Sequence, residues 1–473
     1  MNNVPLCVDL DGTLVRTNTL LETVLHALKQ NPLFIFQLLK ALSKNKAYTK
    51  HVIGQQFSSE DASSLPYNQE FLAWIKKEKN SGRTLILATA SDEAIAKKVA
   101  QHLGLFSDVI ASTPKASVTA HGKALVLCGL YGTNKFSYAG NSQSDLEVWN
   151  CSHHAILVDA PKNIKYKIKK NIIIEKEFVS KKTSNLFIIA KTMRVHQWVK
   201  NVLLFVPALA AHVLFQQNIA IHAILGFISF SLLASAVYIL NDLADIASDR
   251  SHTTKKYRPI ASGAISLKHA IIIGITSAII SILLSITALP VIFTELLGLY
   301  LVINICYSLF AKKIAYIDIS ILASLYVLRV FAGSFATGVT TSTWLFVWTL
   351  CFFFSLAIMK RVIELLDHKK EEKIRGRGYH KKDRVTLEIA GMASAVLSVV
   401  VLALYIKSGS IFSLYTSPSL LWGVVIIVAL WLGRIWTLAL QKQLPSDPVL
   451  FAAKDPVSYG AVCAIIAIMI IAS

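Results

Sequence analysis

The sequence predicts a multi-domain chain, in which an N-terminal α/β domain of the Rossmann-like type precedes an all-α polytopic membrane domain. Of its 473 residues 54% are hydrophobic, and the mean hydropathy of +0.53 is too high for a soluble protein. The apolar residues are also unevenly distributed. Apolar and charged segments alternate up to about residue 180, whereas apolar stretches near the length of a membrane helix dominate from Val199 onward.

The N-terminal domain is predicted to span residues 1–180. Its first strand is apolar from Val4 to Val8 and ends in two carboxylates, Asp9 and Asp11. Residues 85–91 form a second predicted strand. Between the two strands, residues 16–80 carry leucines at helical spacing, which predicts a small helical cap.

The two carboxylates that follow the first strand suit phosphoryl chemistry. Asp9 can attack phosphorus and form an aspartyl-phosphate, and Asp11 can protonate the leaving alcohol. Asp-x-Asp-Gly-Thr resembles the nucleophile motif of the haloacid dehalogenase (HAD) superfamily, and three later segments resemble its other motifs. The resemblance implies phosphate binding by Thr89 and Lys123. It also implies a Mg²⁺ site with these ligands: Asp9, Asp11, Asn141 and Asp145.

Asn141 departs from the family pattern, which has aspartate at that position. An amide oxygen can still ligate Mg²⁺, but one negative charge is missing. The substitution therefore predicts weaker metal binding and slower turnover in the N-terminal domain.

A basic linker at residues 181–192 is predicted to lead into a membrane domain at residues 193–473. About nine transmembrane helices are expected in that domain. They lie near 199–216, 220–240, 268–289, 291–310, 315–337, 343–364, 386–407, 419–440 and 457–472.

Positive charge predicts the orientation of the membrane domain. The loops after the second, fourth, sixth and eighth spans hold nearly all the loop cations, including Lys312, Lys313, Lys369, Lys370, Lys373, Arg375, Arg377, Lys381, Lys382 and Arg384. These loops are expected on the cytoplasmic side of a bacterial-type inner (plasma) membrane. An odd span count then places the N-terminal domain in the cytoplasm and the C-terminus outside. The net charge of +20 is attributed to this asymmetry and to anionic lipids and substrates, not to nucleic acid.

Acidic residues follow the second predicted span directly. Asp242, Asp245 and Asp249 are spaced to lie on one face of a helix, next to Asn241. Carboxylates at a membrane boundary are costly unless a cation neutralises them, and Mg²⁺ commonly bridges such groups to substrate phosphates. Basic residues that include Arg258 come next, so the segment indicates a membrane enzyme that binds a pyrophosphate.

The pattern Asn-Asp-x-x-Asp-x-x-x-Asp resembles the first aspartate-rich motif of the UbiA superfamily of intramembrane prenyltransferases. The resemblance implies that Asp242 and Asp245 are catalytic and hold Mg²⁺, together with Asn241 and Asp249. Further segments around Lys200, Lys312, Arg329 and Lys360 resemble the decaprenyl-phosphate phosphoribosyltransferase group. The implied phosphate-binding residues are Lys200, Arg258, Lys312, Arg329, Lys360 and Arg361. Snorkelling of the lysines at span ends, and helix packing of Arg329, are the structural alternatives.

The resemblances imply transfer of a 5-phosphoribosyl group from phosphoribosyl pyrophosphate to a polyprenyl phosphate. The HAD-like domain is then expected to dephosphorylate the product. One alternative is prenyl transfer from an isoprenoid diphosphate to an aromatic or other acceptor, but the second Asp-x-x-x-Asp motif of such enzymes is not clearly present after the sixth span. A second alternative is a lipid-phosphate binding or transport protein with vestigial motifs.

Overall fold

The computed structural model describes residues 4–114, 118–168, 172–180, 184–367, 378–408, 411, 414–445 and 447–473. Seven of the cations used above, Lys181, Lys182, Lys369, Lys370, Lys373, Arg375 and Arg377, lie outside these residues. The chain forms two compact units. The first comprises Met1–Met193 and Tyr238–Ile273, and the second comprises Arg194–Val237 and Gly274–Ser473.

A six-stranded parallel sheet forms the centre of the first unit. Its strands are Leu6–Val8 (β1), Leu85–Asp92 (β2), Asp108–Ser112 (β3), Ser137–Gly140 (β4), His154–Val158 (β5) and Ile173–Phe178 (β6). They lie in the order β3-β2-β1-β4-β5-β6. The order reverses at β1, and the crevice at the carboxyl ends of such strands is where ligands bind in open α/β sheets. The predicted α/β fold is confirmed.

Helices cover both faces of this sheet, which explains why β1 is wholly apolar and fully buried. The helices between β1 and β2 are Thr19–Gln30, Phe34–Leu42, Lys46–Gly54, Ser59–Ser64 and Gln69–Asn80. The first four are called the cap below. The fifth packs Phe71, Leu72 and Ile75 into the core of the sheet. The later helices are Glu93–Leu103, Ala120–Tyr131, Leu146–Trp149 and Asn185–Thr192, with 3₁₀ turns at Gln143–Asp145 and Lys162–Ile164.

The acidic residues do not share one continuous helix, so that prediction is wrong. The helix Gln217–Ala244 ends just before Asp245, and a short helix, Ile246–Ser251, follows. Asp245 separates them with φ −105° and ψ 14°. Residues 245–266, called the connecting loop below, continue through a 3₁₀ turn at Lys255–Tyr257 to the helix Leu267–Ala288.

Seven helices in the described part of the chain are long and apolar enough to cross a membrane. They are Gln217–Ala244, Leu267–Ala288, Val291–Leu309, Ile317–Thr337, Thr343–Asp367, Asp383–Lys407 and Pro418–Leu440, the last of which begins with a 3₁₀ turn. The predicted ninth span forms a shorter apolar helix, Pro456–Ala472. Short elements at Ala311–Lys313 and Pro448–Ala452 complete the fold. The predicted count of nine is not confirmed.

The predicted first span, 199–216, does not form one continuous α-helix. Its residues form a 3₁₀ helix, Val195–Phe205, followed by a short α-helix, Val206–Ala210. Pro207 cannot donate a backbone hydrogen bond and therefore favours the start of a new helix there. At 2.0 and 1.5 Å per residue the two pieces together extend about 30 Å, the thickness of the hydrocarbon core.

Small side chains allow close packing of the helices in the second unit. The Ser229 hydroxyl donates to the Ser281 carbonyl at 2.9 Å, and the Ser281 hydroxyl returns a bond of 2.7 Å to the Ser229 carbonyl. A Cβ at Gly391 would lie 2.4 Å from the Trp436 ring, so only glycine fits there. Such contacts are typical of membrane helix bundles.

Candidate active sites

The carboxyl ends of β1, β2 and β4 open into a cavity of about 630 Å³. All six residues predicted for the N-terminal site line it: Asp9, Asp11, Thr89, Lys123, Asn141 and Asp145. They come from four separate places in the sequence. The parallel sheet brings five of them together because adjacent strands end at the same edge, and the helix Ala120–Tyr131 supplies Lys123.

Lys123 and Asp9 form a buried ion pair at the centre of the cavity. The Lys123 ammonium, on the helix Ala120–Tyr131, donates to Asp9 Oδ1 at 2.7 Å. Burial raises the pKa of the Asp9 carboxyl to about 7, although the Lys123 charge opposes the rise. A carboxylate held against a lysine in this way is positioned to meet a phosphoryl group whose charge the same lysine can neutralise.

Tyr138 connects this pair to Asp145. The Lys123 ammonium also donates to the Tyr138 hydroxyl at 2.7 Å, and that hydroxyl donates to Asp145 Oδ1 at 2.8 Å. Asp145 Oδ2 accepts the backbone N–H groups of Asn141 and Ser142 at 3.1 and 3.0 Å. Tyr138 could not be assigned to the site from the sequence, where the one indication is its position in the strand before Gly140.

Asp11 is held as a separate group, away from the lysine. Its Oδ1 accepts the Thr19 backbone N–H at 2.9 Å, and its Oδ2 accepts the Ser91 hydroxyl at 2.9 Å. Burial raises the pKa of the Asp11 carboxyl even though these donors lower it. A raised pKa favours the protonated form, which is the form a general acid needs. Thr89 is buried, and its hydroxyl accepts the Ser91 N–H at 3.1 Å.

The donor atoms around this cavity are of the chemical type that Mg²⁺ prefers. Asp9, Asp11 and Asp145 offer carboxylate oxygens and Asn141 an amide oxygen, all of the class that Mg²⁺ prefers. Gly12, at φ +81°, makes room for the amide, since a Cβ there would lie 2.2 Å from Asn141 Nδ2. No group of three His, Cys, Asp or Glu side chains is arranged to hold a metal within the described ranges.

One arginine bridges two of the acidic residues that follow the helix Gln217–Ala244. Arg258 Nη1 donates to Asp242 Oδ1 at 3.1 Å and to Asp249 Oδ2 at 2.6 Å, and both carboxylates are buried. Asp245 points elsewhere and accepts Lys29 Nζ at 2.8 Å. Asn241 is half-buried. A single cation therefore bridges Asp242 and Asp249, while the metal set predicted from the sequence stays a prediction.

The connecting loop is tied to the cap within the first unit. Arg250 forms an ion pair with Glu22 of the first cap helix, and its Nη1 also donates to the Ser64 carbonyl at 3.2 Å. Lys29 lies on the same cap helix as Glu22. Ile260, Ile265 and other apolar side chains of this region pack with Leu21 and Leu25 of that helix. The cap thus contacts the segment that holds the predicted metal ligands.

In the second unit, two of the predicted phosphate-binding lysines share one carboxylate. Lys200 Nζ donates to Asp447 Oδ2 at 2.5 Å, and Lys360 Nζ lies 3.7 Å from the same oxygen. Burial alone would raise the pKa of Asp447, but the two ammonium groups outweigh it and hold that pKa at about 2. The sequence analysis missed Asp447, although Asp before Pro448 is a common helix start.

The two predicted arginines of the second unit are occupied by protein groups. Arg361 is fully buried, and its nitrogens donate to Asp318, to Glu364 at 2.6 Å and to the Tyr307 hydroxyl at 3.1 Å. Arg361 therefore ties neighbouring helices together, and its predicted role in phosphate binding stays a prediction.

Arg329 is likewise surrounded by protein. Its Nε donates to Asn201 Oδ1 at 2.8 Å, and its guanidinium lies over three aromatic rings, with 5.3 Å to the centroids of Phe230 and Tyr300. Tyr326 supplies the third ring at 5.6 Å. This environment favours the helix-packing alternative. Lys312 lies on the turn Ala311–Lys313 and is half-buried.

The chain is similar to known proteins over nearly its whole length. A model described as the UbiA prenyltransferase family matches residues 202–454. An uncharacterized protein, y4nM, of Sinorhizobium fredii is 31% identical over 462 residues, covering 96% of this chain and 88% of the relative. A decaprenyl-phosphate phosphoribosyltransferase of Corynebacterium glutamicum is 34% identical over 183 residues, covering 38% of this chain and 55% of that protein. A solved structure of a substrate-bound phosphoserine phosphatase complex matches with a TM-score of 0.27 at 15% identity, over 38% of this chain and 95% of that one.

Proposed function

The chain belongs to the UbiA prenyltransferase family, and from this premise we propose that it is a Mg²⁺-dependent membrane transferase. It moves the 5-phosphoribosyl group of phosphoribosyl pyrophosphate to a polyprenyl phosphate. The single observation that carries the proposal is the arrangement of Asp242, Asp249 and Arg258, in which two buried carboxylates are bridged by a cation beside the end of a predicted membrane span. Carboxylates so placed require a positive partner, which Arg258 supplies here and which a Mg²⁺ ion carrying pyrophosphate would supply during transfer.

The choice of donor rests on the relatives and on charge. The Corynebacterium relative is a decaprenyl-phosphate phosphoribosyltransferase, which supports the same donor and lipid class here. At the end of the sixth predicted span, where a second acidic motif would serve a prenyl diphosphate, Arg361 neutralises Glu364.

The transfer is a substitution at the anomeric carbon. Mg²⁺, when bound by Asp242 and Asp249, would neutralise the charge that develops on pyrophosphate. Arg258, displaced from the two carboxylates, would then donate to the pyrophosphate oxygens. The acceptor phosphate oxygen forms the new bond to carbon while the bond to pyrophosphate breaks, and pyrophosphate leaves with the electron pair. No general base is needed, because the acceptor phosphate is already ionised.

The second unit offers groups that suit a polyprenyl phosphate. Lys200 and Lys360 both contact Asp447, so two ammonium groups lie beside one carboxylate, and such a cluster suits a phosphate headgroup. The second unit also holds an apolar cavity of about 280 Å³, lined by side chains such as Trp348, Leu402 and Ile465. A cavity of this composition suits part of an isoprenoid chain.

The cavity around Asp9 supports a second step, hydrolysis of the 5-phosphate from the transferred sugar. The Asp9 carboxylate attacks phosphorus, the bond from phosphorus to the sugar oxygen breaks, and Asp11 gives that oxygen its proton. Thr89 and Lys123 bind the phosphoryl oxygens. Water then cleaves the aspartyl-phosphate to regenerate Asp9 and release inorganic phosphate. We place both steps on the cytoplasmic side of a bacterial-type inner membrane, as the positive loops favour.

An assay of the purified full-length protein in detergent tests the transfer. With Mg²⁺ and a polyprenyl phosphate it should consume labelled phosphoribosyl pyrophosphate, and Asp242→Asn should abolish this consumption. Labelled product from a prenyl diphosphate and an aromatic acid would instead establish the prenyltransferase alternative. Function that survives Asp242→Ala would establish a binding or transport role.

A further inference from the structure

The cavity around Asp9 is larger and more basic than one phosphate group requires. Its volume of about 630 Å³ lies in the range of sites that enclose a whole small molecule. Lys123 is already paired with Asp9. The lining includes four further cationic residues: Arg16, Lys46, Lys50 and Lys268.

Two of these four cations have structural partners. Arg16 Nη2 donates to Ser180 Oγ at 3.1 Å, and Lys50 Nζ donates to the Ala90 carbonyl at 2.5 Å. Lys46, at the start of the third cap helix, and Lys268 are exposed at the cavity. They are the two cations best placed to meet a second negatively charged group of a substrate.

Lys268 also indicates where the second negatively charged group of the substrate lies. It is the second residue of Leu267–Ala288, a helix apolar and long enough to cross a membrane. A lysine at such a helix end lies at the boundary between water and lipid. This wall of the cavity therefore stands at the membrane surface, and a substrate that reaches Lys268 can have its remainder in the bilayer.

The wall that carries Lys268 is a fixed part of the cavity. Gly263, at φ +71°, lies so close to the segment before the first cap helix that a Cβ there would be 2.4 Å from the Arg16 carbonyl oxygen. Leu267 is buried in the apolar cluster shared with Leu21 and Leu25 of the cap. The same connecting loop is held by the ion pair of Arg250 with Glu22.

We infer that this cavity binds a membrane-anchored substrate with two phosphate groups. The terminal phosphomonoester lies beside Asp9 and Lys123, and the phosphodiester that joins the sugar to its lipid lies beside Lys46 and Lys268. The inference rests on the proposed function, in which the transferase product carries these two groups. It adds a class of substrate for the hydrolytic step and names two residues that select it.

Three soluble or micellar probes separate the contributions of lipid and charge. They are ribose 5-phosphate, ribose 1,5-bisphosphate and a farnesyl-phosphoryl-ribose 5-phosphate in mixed micelles. The full-length protein should hydrolyse the farnesyl probe with a higher kcat/KM than ribose 5-phosphate. Lys268→Met should lower kcat/KM about tenfold for the two probes with a second phosphate and leave ribose 5-phosphate unchanged, since it removes one charge contact. Lys256→Met, which removes an exposed lysine of the connecting loop outside the cavity, should change nothing.

Binding to the Asp9→Asn variant gives a readout that does not need turnover. In that background Lys268→Met should weaken binding of the farnesyl probe about tenfold. The inference is overturned if Lys268→Met affects all three probes equally or none, or if Asp9→Asn protein binds the farnesyl probe no better than ribose 5-phosphate. Even if the inference fails, the phosphatase proposal is upheld when the wild-type protein hydrolyses ribose 5-phosphate and the Asp9→Asn protein does not. Absence of any hydrolysis would count against the phosphatase itself.

Discussion

Asn141 adds an amide to the three carboxylates, Asp9, Asp11 and Asp145, that line the cavity of the first unit. Replacing it with aspartate adds one negative charge at the same place, since the two side chains have nearly the same shape. Asn141→Asp should therefore lower the Mg²⁺ concentration for half-maximal hydrolysis of ribose 5-phosphate about tenfold. A Mg²⁺ titration of the purified protein measures this.

Gln143→Asp is the matched control for that substitution. It adds the same charge two residues away, at an exposed position that does not line the cavity. The account of Asn141 as a metal ligand fails if both variants shift the Mg²⁺ titration alike, or if neither does.

Asp447 forms ion pairs with two lysines of the second unit, Lys200 and Lys360. Because the pKa of Asp447 is lowered to about 2, its contribution to stability is complete above the ordinary carboxyl pKa and is lost as the pH falls toward 2. Asp447→Asn leaves Lys200 and Lys360 facing each other, and it should lower the free energy of unfolding by about 2 kcal/mol at neutral pH.

Thermal unfolding in detergent measures that loss, with Asp367→Asn, at the exposed end of its helix, as the control. The double variant Asp447→Asn with Lys200→Met should recover part of the stability, because it also removes one of the two facing charges. An unchanged melting temperature in Asp447→Asn would show that the cluster contributes nothing.

The position of a single residue in a site was predictable where a short sequence motif determines it. It was not predictable where a contact between distant parts of the chain determines it. Asp9 and Asp11 follow a buried strand, so their shared edge position could be read from sequence. Asp447 meets Lys200 across 247 positions of the chain, and no local pattern indicates that contact. The same reason explains why Arg361 was assigned to phosphate, since its partner Asp318 comes from another helix.

At the scale of elements, the helix that carries Asp242 ends earlier than its periodicity indicates. The spacing of the acidic residues is compatible with a continuous helix, but the turn at Asp245 sends that side chain to Lys29 of the cap. Tertiary contacts outweigh helix propensity at such a position. The seven long apolar helices were predictable to within a few residues because their length and composition suffice, whereas the 3₁₀ path of Val195–Phe205 was not.

Gly263, in the connecting loop, lies against Arg16, a residue just before the first cap helix. Gly263→Ala imposes both an unfavourable φ of +71° and a contact of 2.4 Å with the Arg16 carbonyl oxygen. It should lower the free energy of unfolding by about 2 kcal/mol or more. Thermal unfolding of the purified protein checks this loss.

A second glycine provides the comparison. Gly298 lies in the helix Val291–Leu309, where a Cβ meets no atom within 4 Å, so Gly298→Ala should be neutral or slightly stabilising. If Gly263→Ala were as well tolerated, the loop would not be fixed against the cap, and the cavity wall described above would lose its support.

For the whole molecule, the presence of an α/β domain and a membrane domain in one chain predicts two separable activities. Asp242 belongs to the transfer step and Asp9 to the hydrolytic step, so each substitution should abolish one step and leave the other intact. Asp242→Asn protein should still hydrolyse ribose 5-phosphate. Equal loss of hydrolysis in Asp242→Asn and Asp9→Asn would instead indicate a single site.

The most direct measurement follows the 5-phosphate of the donor. Full-length protein in lipid nanodiscs receives Mg²⁺, a polyprenyl phosphate and phosphoribosyl pyrophosphate labelled with ³²P at the 5-phosphate. The wild-type protein should release labelled inorganic phosphate, and Asp9→Asn should accumulate the label in a phosphoribosyl lipid instead. Label that stays in phosphoribosyl pyrophosphate with both proteins would contradict the proposed transfer, and equal release by both would contradict the assignment of hydrolysis to Asp9.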